Sequence, residues 1–428
     1  MVPFFSFIIP TKNRSEILKF AIQSCLNQSY KDFEIIVSDN NSKDKTEEVV
    51  KKFTDARIKY VNPKIDLDLA KSFDNGIKYA KGKYVLYLAD DEAYISDTLK
   101  SLKRIIDDTN AEVISYGRKA HYKHKLEKNY SGANELYVYP FSKKKMWINS
   151  KFLLDQLISC KYIYPGISAK KDFLYSLRAY PLTVKCVVKR DLINFIINKY
   201  GYFHHRAIDW FACVLTLFHT KKILLYDRHL NMAGSIPSST GSTFRNTGEF
   251  GSDINKDQFK PNILPVKANL FSNLIYDSIM DAYVKASGDK EFLKKIHNNS
   301  YIGCLLRDLY LWKENSINID ESFDEIINYI KNCKNFEEDP FIYYFQKNRK
   351  FNKKHIKYLL SKKLKNIFNS LSKSQRFWHK KYLGNKKGFH NIIECIDYYE
   401  KIENDLMKNN NLAEQLLKKY YPNAEYLD

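Results

Sequence analysis

The sequence predicts an α/β fold, in which a mostly parallel sheet with flanking helices is followed by an all-α C-terminal region. Over the amino-terminal part, apolar runs of strand length alternate with segments of helical periodicity, and this alternation is typical of a parallel sheet. From about residue 255 onward, helical periodicity continues with few glycines and no clear strand. These two observations set the fold class.

The predicted elements follow one another in a regular order. Strand-length apolar runs occupy residues 4–9, 33–37, 57–61, 84–88 and 111–116. Apolar residues at helical spacing fill residues 17–26, 44–53 and 69–80 between them. A further strand is expected to begin at Cys186, and the stretch 234–242 is a loop by its Gly, Ser and Pro content.

Three consecutive acids, Asp90, Asp91 and Glu92, end the strand at 84–88. Adjacent carboxylates repel one another, so they are costly at a buried strand end unless a cation or a polyhydroxyl ligand compensates them. Because successive side chains of an extended chain point to opposite sides, we expect Asp90 and Asp91 to serve different partners. A solvated loop with an acidic helix start is the alternative interpretation.

Polar residues also end the other strands of this region. Pro10 and Thr11 follow the first strand, and Asp39 and Asn40 follow the second. The carboxyl ends of parallel strands lie at one edge of a sheet, and ligands of such sheets bind there. The sequence therefore predicts a binding site formed by these residues and the acids at 90–91.

Four motifs in this order carry a resemblance to a known family. They are FIIPTKNR at 7–14, QSYKDFEIIVSDNNS at 28–42, AKGKY at 80–84 and the Asp90-Asp91 pair. Together they resemble the nucleotide-binding half of family 2 glycosyltransferases with the GT-A fold, over residues 4–100. The resemblance implies an inverting transferase that uses a nucleotide-diphosphate sugar, with a UDP-sugar expected first, and a divalent cation.

The resemblance also implies roles for individual residues. The nucleotide would be contacted by Pro10, Thr11, Asn13, Asp39, Asn40, Lys71 and Asp90. Asp91 would be the metal ligand, and a carboxylate together with diphosphate oxygens suits Mn²⁺ or Mg²⁺. Asn40 stands where the family often has an aspartate, which leaves the identity of the base open. Lys71 and Asp74 lie where the family sometimes has a further base or phosphate contact, but ordinary surface charge is the favoured interpretation for both.

An inverting transfer also needs a general base for the acceptor hydroxyl. Asp209 is the candidate, because it opens the apolar stretch 210–218 at the place where the family has this acid. The helix dipole and the apolar neighbours push its pKa in opposite directions. A helix cap and a metal-hydrolase cluster with His204 and His205 are the alternatives. His204, His205 or Arg206 could instead face the diphosphate or the acceptor.

The cysteine pattern and the distribution of apolar residues limit the kinds of site and the cellular location that we expect. Seven scattered cysteines without a C-x-x-C pair indicate neither a disulfide framework nor a zinc site. No basic leader precedes the first strand, and no window holds about 18 uninterrupted apolar residues. We therefore expect a cytoplasmic protein that binds at most peripherally to the cytoplasmic face of a membrane.

The net charge of +21 is concentrated near the C-terminus, since residues 340–393 contain fifteen Lys or Arg and no acid. An apolar stripe from Ile356 to Leu371 recurs there at three- and four-residue steps. A core-facing helix, a helix on an anionic membrane surface and a nucleic-acid-binding patch all fit this pattern. No nucleic-acid motif accompanies it, so no nucleic-acid partner is expected.

Taken together, these features predict a metal-assisted inverting glycosyltransferase that acts on a glycan or lipid-linked acceptor in surface polysaccharide biosynthesis. Residues 1–110 would form its nucleotide-sugar-binding half, 111–254 its acceptor-binding half and 255–428 a basic helical region. An inactive sugar-nucleotide-binding protein and a nucleotidyltransferase are the alternatives. The second would normally show a glycine-rich phosphate loop after the first strand, and residues 10–14 contain no glycine.

Overall fold

The structure is a computed structural model. It describes residues 2–116, 120–123, 136–138, 141–160, 179–201, 203, 207–235, 261–291, 296, 301–305, 308–309, 320–332, 389–407 and 411–427. The chain divides into two compact units. The first comprises Met1–Leu153, Arg178–Ile236 and Lys381–Asp428, and the second comprises Leu154–Leu177 and Pro237–Lys380.

The first unit opens with strands and helices in alternation. They are β1 (Phe5–Thr11), α1 (Ser15–Leu26), β2 (Phe33–Asp39), α2 (Thr46–Lys51), β3 (Ile58–Val61), α3 (Leu69–Ile77), β4 (Tyr84–Tyr87), β5 (Ala93–Tyr94), α4 (Thr98–Thr109) and β6 (Val113–Tyr116). Each predicted element of this part is present within a few residues of its predicted bounds. The alternation read from the sequence is therefore confirmed.

The remaining elements continue the same fold and then become mostly helical. They are β7 (Ala120–Lys123), β8 (Leu136–Tyr137), β9 (Lys145–Asn149), α5 (Ser150–Ile158), β10 (Cys186–Lys189), α6 (Arg190–Tyr200), α7 (Ile208–Phe218), β11 (Lys222–Tyr226), β12 (Asn231–Ser235), α8 (Phe271–Ser287), α9 (Asp320–Asn332), α10 (Ile392–Met407), α11 (Asn411–Tyr420) and β13 (Glu425–Leu427).

Nine strands form the main sheet, in the order β13-β9-β11-β6-β10-β4-β1-β2-β3. The pairs around β1 are parallel, whereas β10 pairs antiparallel with both β4 and β6. β1, β2 and β4 are buried along nearly their whole length, as expected for strands covered on both faces. A second sheet has the order β5-β12-β7-β8.

The mostly parallel sheet with flanking helices and the helical C-terminal region confirm the predicted fold class. The sequence did not predict the strands β5, β7, β8, β9, β11 and β12. The expectation of no strand after residue 255 is wrong at one place, since β13 pairs antiparallel with β9 at the edge of the main sheet. The predicted domain boundaries at residues 110 and 254 stay a prediction. The apolar stripe from Ile356 to Leu371 lies outside the described residues.

Of the helices that are described, none has the length and apolarity to cross a bilayer.

Candidate active site

The three acids lie in a turn at the carboxyl ends of β1 and β4. The Glu92 backbone N–H donates to the Ala89 carbonyl at 3.0 Å and closes this turn. Asp90, Asp91 and Glu92 are all buried. The expectation of an extended chain at 90–91 is therefore wrong, because the strand ends at Tyr87 and the backbone reverses before β5.

Asp90 is fixed by two donors from the end of β1 and the loop after it. Its Oδ2 accepts from the Thr11 hydroxyl at 2.8 Å, and its Oδ1 pairs with Arg14 Nη1 at 2.8 Å. Burial raises the pKa of the Asp90 carboxyl, Arg14 opposes this and the charge of Asp91 adds to it. The charge of Asp90 in turn raises the pKa of Arg14. Both Asp90 oxygens are thus engaged within the protein.

Asp91 follows in the same turn and is 8% exposed. A carboxylate at this edge suits a hard cation that takes its other ligands from a diphosphate and water. The predicted role of Asp91 as the metal ligand stays a prediction. Among the described residues, no group of three or more His, Cys, Asp or Glu side chains is placed to hold a metal.

Asp39 ends β2 and has its carboxylate fully hydrogen-bonded. Its Oδ1 accepts from the Ser42 backbone N–H at 3.0 Å and the Ser42 hydroxyl at 2.5 Å. Its Oδ2 accepts from the Tyr60 hydroxyl at 2.6 Å and Asn62 Nδ2 at 3.1 Å. A carboxylate has about four acceptor sites. A nucleobase N–H could therefore bind Asp39 only by displacing one of these donors.

Asn40 holds the loop that follows β3. Its Nδ2 donates to the Leu67 carbonyl at 2.8 Å, and its Oδ1 accepts from the Leu67 N–H at 2.8 Å. Its own backbone N–H donates to the Thr11 carbonyl at 2.9 Å. An aspartate could not donate to Leu67, and this gives a physical reason for an amide at this position. The predicted contact of Asn40 with the base stays a prediction.

Asn13 joins the loops after β1 and β2. Its backbone N–H donates to the Ser42 hydroxyl at 2.8 Å, and its side-chain oxygen accepts from the Lys43 N–H at 2.7 Å. Its φ of 53° lies in the left-handed region, which asparagine tolerates better than most residues. Pro10 lies within β1, paired in register with Ser38. The structure thus brings Pro10, Thr11, Asn13, Asp39, Asn40, Asp90 and Asp91 to one edge of the sheet.

Lys71 and Asp74 differ in their surroundings. Lys71 is exposed and pairs with Asp68 at 2.9 Å, so its predicted nucleotide contact rests on the sequence alone. Asp74 is half-buried, and its Oδ1 has no hydrogen-bond partner among the described residues. Burial raises the pKa of Asp74 to about 6, although the Phe203 N–H opposes this. The interpretation of Asp74 as an ordinary surface charge is therefore wrong.

Asp209 lies in the first turn of α7, as expected for a carboxylate at a helix start. Ile208, Trp210 and Phe211 around it are buried. His204, His205 and Arg206 lie outside the described residues. A further aspartate of this part of the chain, Asp227, is buried and accepts from the Ser142 hydroxyl at 2.7 Å, which makes it a poor base.

The residues that bond to the predicted site residues were not predicted from the sequence. Arg14 lies within a quoted motif, but nothing in the sequence links it to Asp90, which lies 76 positions later. Tyr60 and Asn62, which fix Asp39, carry no signal in the sequence. Glu92 was read as one of three acids at the ligand edge, but its Oε2 accepts from Asn231 Nδ2 at 3.0 Å, and Asn231 is fully buried.

Comparison with known proteins gives a consistent set of matches. Residues 6–158 match the family described as Glycosyl transferase family 2. The chain is 40% identical over 115 residues to a GalNAc(5)-diNAcBac-PP-undecaprenol beta-1,3-glucosyltransferase of Campylobacter jejuni, a match that covers 26% of this chain and 37% of that enzyme. It is 32% identical over 220 residues to an uncharacterised glycosyltransferase of Methanocaldococcus jannaschii, covering 46% of this chain and 70% of that protein.

The chain spans 37% of the length of the Campylobacter jejuni enzyme and 54% of each of two further curated relatives. Among solved structures, residues 1–349 of TarS from S. aureus in complex with UDP-GlcNAc are similar, with a TM-score of 0.43 and 14% identity. That match covers 90% of this chain and 98% of the TarS fragment.

The raised pKa of Asp74 predicts how stability depends on pH. The folded state holds the proton more tightly than the unfolded state, so the carboxyl destabilises the fold increasingly as pH rises from about 4 to about 6. Asp74→Asn removes this cost. We expect its free energy of unfolding at pH 7.5 to exceed that of the native chain by about 1 kcal/mol, after allowance for partial exposure.

At pH 4 the gain should shrink towards zero. Denaturant titrations at both pH values measure the difference, and Asp108→Asn on the exposed face of α4 is the control. A gain at pH 4 as large as that at pH 7.5 would show that the folded state does not raise the pKa of Asp74.

Proposed function

Since this chain belongs to glycosyl transferase family 2, we propose that it moves a sugar from a nucleotide-diphosphate donor to a glycan or lipid-linked acceptor. The observation that carries the proposal is the turn at 89–92, where Asp90 is fixed by Thr11 and Arg14 beside Asp91. This turn lies at the carboxyl ends of β1 and β4, where ligands of such sheets bind. UDP is the nucleotide to test first.

The donor would bind along the loops that follow β1, β2 and β4. Thr11 and Asp90 would face the ribose, and the rigid loop held by Asn40 and Asn13 would border the base. Because Asp39 is already fully bonded to Ser42, Tyr60 and Asn62, we propose that Asp39 shapes this pocket and that the base N–H finds another acceptor unless Asn62 moves.

Asp91 would hold Mn²⁺ or Mg²⁺ together with diphosphate oxygens. When bound, such an ion neutralises the charge that develops on the departing nucleoside diphosphate. Arg14 would add a second positive charge at this edge, since its guanidinium is partly exposed while it pairs with Asp90. The protein thereby offers charge compensation for the leaving group before the sugar moves.

For the transfer itself, we propose an inverting displacement with Asp209 as general base. The acceptor hydroxyl oxygen would form a bond to the anomeric carbon while the bond from that carbon to the diphosphate oxygen breaks. The hydroxyl proton would pass to the Asp209 carboxylate. Burial of Ile208, Trp210 and Phe211 around Asp209 would keep water away from the reacting carbon.

The name of the Campylobacter jejuni relative includes an undecaprenol-linked glycan, GalNAc(5)-diNAcBac-PP-undecaprenol. A lipid-linked acceptor in surface polysaccharide biosynthesis is therefore the acceptor class we propose. Such an acceptor lies at a membrane, and the fifteen basic residues of the stretch 340–393 would suit a peripheral position on anionic lipid.

Asp91 gives the first test. Because the metal ligand is gone, we expect that Mn²⁺ no longer strengthens donor binding by Asp91→Asn. The turnover of this variant should fall by at least about 10²-fold. Donor binding with and without Mn²⁺, and release of nucleoside diphosphate, are the measurements. Asp107→Asn on the exposed face of α4 is the matched control.

Near-native turnover of Asp91→Asn at ordinary Mn²⁺ concentrations would contradict the proposed function. Metal-dependent donor binding by the native chain, with neither transfer nor donor hydrolysis, would favour an inactive sugar-nucleotide-binding protein instead.

Asp209 gives the second test. Because proton removal matters only when an acceptor is present, Asp209→Asn should bind the donor normally but lose transfer by roughly 10²–10⁴-fold. Transfer to an acceptor and donor affinity are measured separately. Full transfer by this variant would move the base elsewhere, with Asp172 and Asp191 as the next candidates and Asp227 disfavoured by its burial.

The basic stretch gives the third test. The protein should sediment with anionic vesicles and not with neutral ones, and salt should weaken this binding. Glu substitutions at Lys357, Lys362, Lys363 and Lys365 should release it. Glu substitutions at four exposed lysines of the first unit are the control, at Lys52, Lys78, Lys81 and Lys100. Vesicle binding that ignores lipid charge would contradict the peripheral position.

A further inference from the structure

Arg228 is a buried cation that joins three parts of the first unit. It makes a two-pronged pair with Glu403 of α10, from Nε to Oε1 at 2.6 Å and from Nη2 to Oε2 at 2.7 Å. Its Nη1 donates to Asp97 Oδ2 at 2.7 Å and to the Ser101 hydroxyl at 3.1 Å, both at the start of α4. The side chains of Arg228 and Glu403 are 8% and 9% exposed, so this pair is shielded from solvent.

A second contact from α10 reaches the same segment. Glu400 Oε1 accepts from the Ser96 backbone N–H at 2.8 Å. The Tyr399 hydroxyl lies 3.2 Å from His229 Nδ1, next to Arg228 in the chain. Two carboxylates and one hydroxyl, all within two neighbouring turns of α10, therefore contact Ser96 and residues 228–229.

The apolar face of α10 packs against the small sheet. Buried residues of α10, of the small sheet and of the segments next to them form one cluster: Ala93, Ile95, Tyr122, Leu136, Val138, Phe141, Met232, Phe389, Ile392, Cys395, Ile396 and Tyr399. Burial of this size anchors the helix independently of its charges. The charged bonds of Glu400 and Glu403 then set where segment 96–101 lies against it.

That segment continues directly from the acids. β5 begins one residue after Glu92 and pairs with β12 through Tyr94 opposite Asn231 and Ala93 opposite Met232. Asn231 Nδ2 also holds Glu92 Oε2 at 3.0 Å. The turn at 89–92 is therefore held on one side by Arg14 and Thr11 and on the other by β12 and the segment bonded to α10.

We infer that α10, near the end of the chain, is a positioning element of the donor site and that Glu403 and Glu400 are its positioning residues. This inference rests on the proposed function only in naming the donor and metal as the ligands. Buried ion pairs contribute little net stability compared with apolar replacements. The pair between Arg228 and Glu403 instead holds two segments that lie 175 positions apart in the chain in one arrangement.

Glu403→Gln keeps the size of the side chain and removes its charge. Arg228 then loses its two-pronged partner, and the segment 93–101 should loosen while α10 stays packed. We expect the KM for the donor and the Mn²⁺ concentration for half-maximal activity to rise about tenfold, the effect common for residues that orient metal ligands without touching the metal. The kcat at saturating donor and metal should change less than about twofold.

A second readout needs no activity. Hydrogen exchange of the amides at 93–98 should quicken in Glu403→Gln and in Glu400→Gln, because Ser96 donates to Glu400 and Ile95 donates to the Leu230 carbonyl beside Arg228. Exchange of the amides of β2, which lies away from this contact, should stay the same.

Two variants serve as controls. Asp397→Asn changes an exposed carboxyl on the same helix and should alter neither KM nor exchange. Tyr421→Phe removes a buried hydrogen bond to the Ala179 N–H in the same C-terminal segment, so it should lower Tm without raising KM. This comparison separates positioning from a general loss of stability.

The outcomes distinguish the two ideas. If the native chain shows no metal-dependent donor binding, the proposed function fails, while quicker exchange at 93–98 would still support the positioning role. If the native chain binds the donor but Glu403→Gln and Glu400→Gln leave KM, metal dependence and exchange at 93–98 unchanged, the inference about α10 is wrong.

Discussion

The pair between Arg14 and Asp90 is the interaction on which the site depends. Two adjacent buried carboxylates repel each other, and the guanidinium at 2.8 Å from Asp90 compensates that repulsion before any ligand arrives. Removing one partner of such a pair leaves a buried charge and costs about 3–5 kcal/mol when burial is complete. Because Arg14 and Thr11 follow β1 while the acids follow β4, the pair also fixes the ends of two neighbouring strands in one place.

The remaining polar contacts extend this arrangement along the sheet edge. Asn40 ties β2 to β1 through Thr11 and to the loop after β3 through Leu67. Asp39 binds Ser42, Tyr60 and Asn62, so contacts within the protein already hold this side of the proposed donor site. Pre-formed geometry lowers the entropy lost on binding, which favours a rigid donor site. α10 would complete this scaffold from the other side of the acids.

Much of the fold could be predicted from the sequence, because strands and helices leave periodic patterns that a single chain shows. The positions of Thr11, Asp39 and Asp90 at one edge followed from the alternation alone. The contacts of these residues could not be predicted, because they join segments far apart in sequence without any periodic signal. Tyr60 and Asn62 hold Asp39, and Glu403 reaches Arg228 across 175 positions. The surface-charge interpretation of Asp74 was wrong because α3 packs against Phe203, which is far from Asp74 in the sequence, and this packing buries the carboxyl.

The most direct test of the account is the position of Mn²⁺ in crystals grown with a nucleoside diphosphate and measured at the manganese absorption edge. We expect an anomalous peak beside the Asp91 carboxylate and the diphosphate, with Asp90 still paired to Arg14. A peak at another group of ligands, or a nucleotide bound away from the carboxyl ends of β1, β2 and β4, would contradict it.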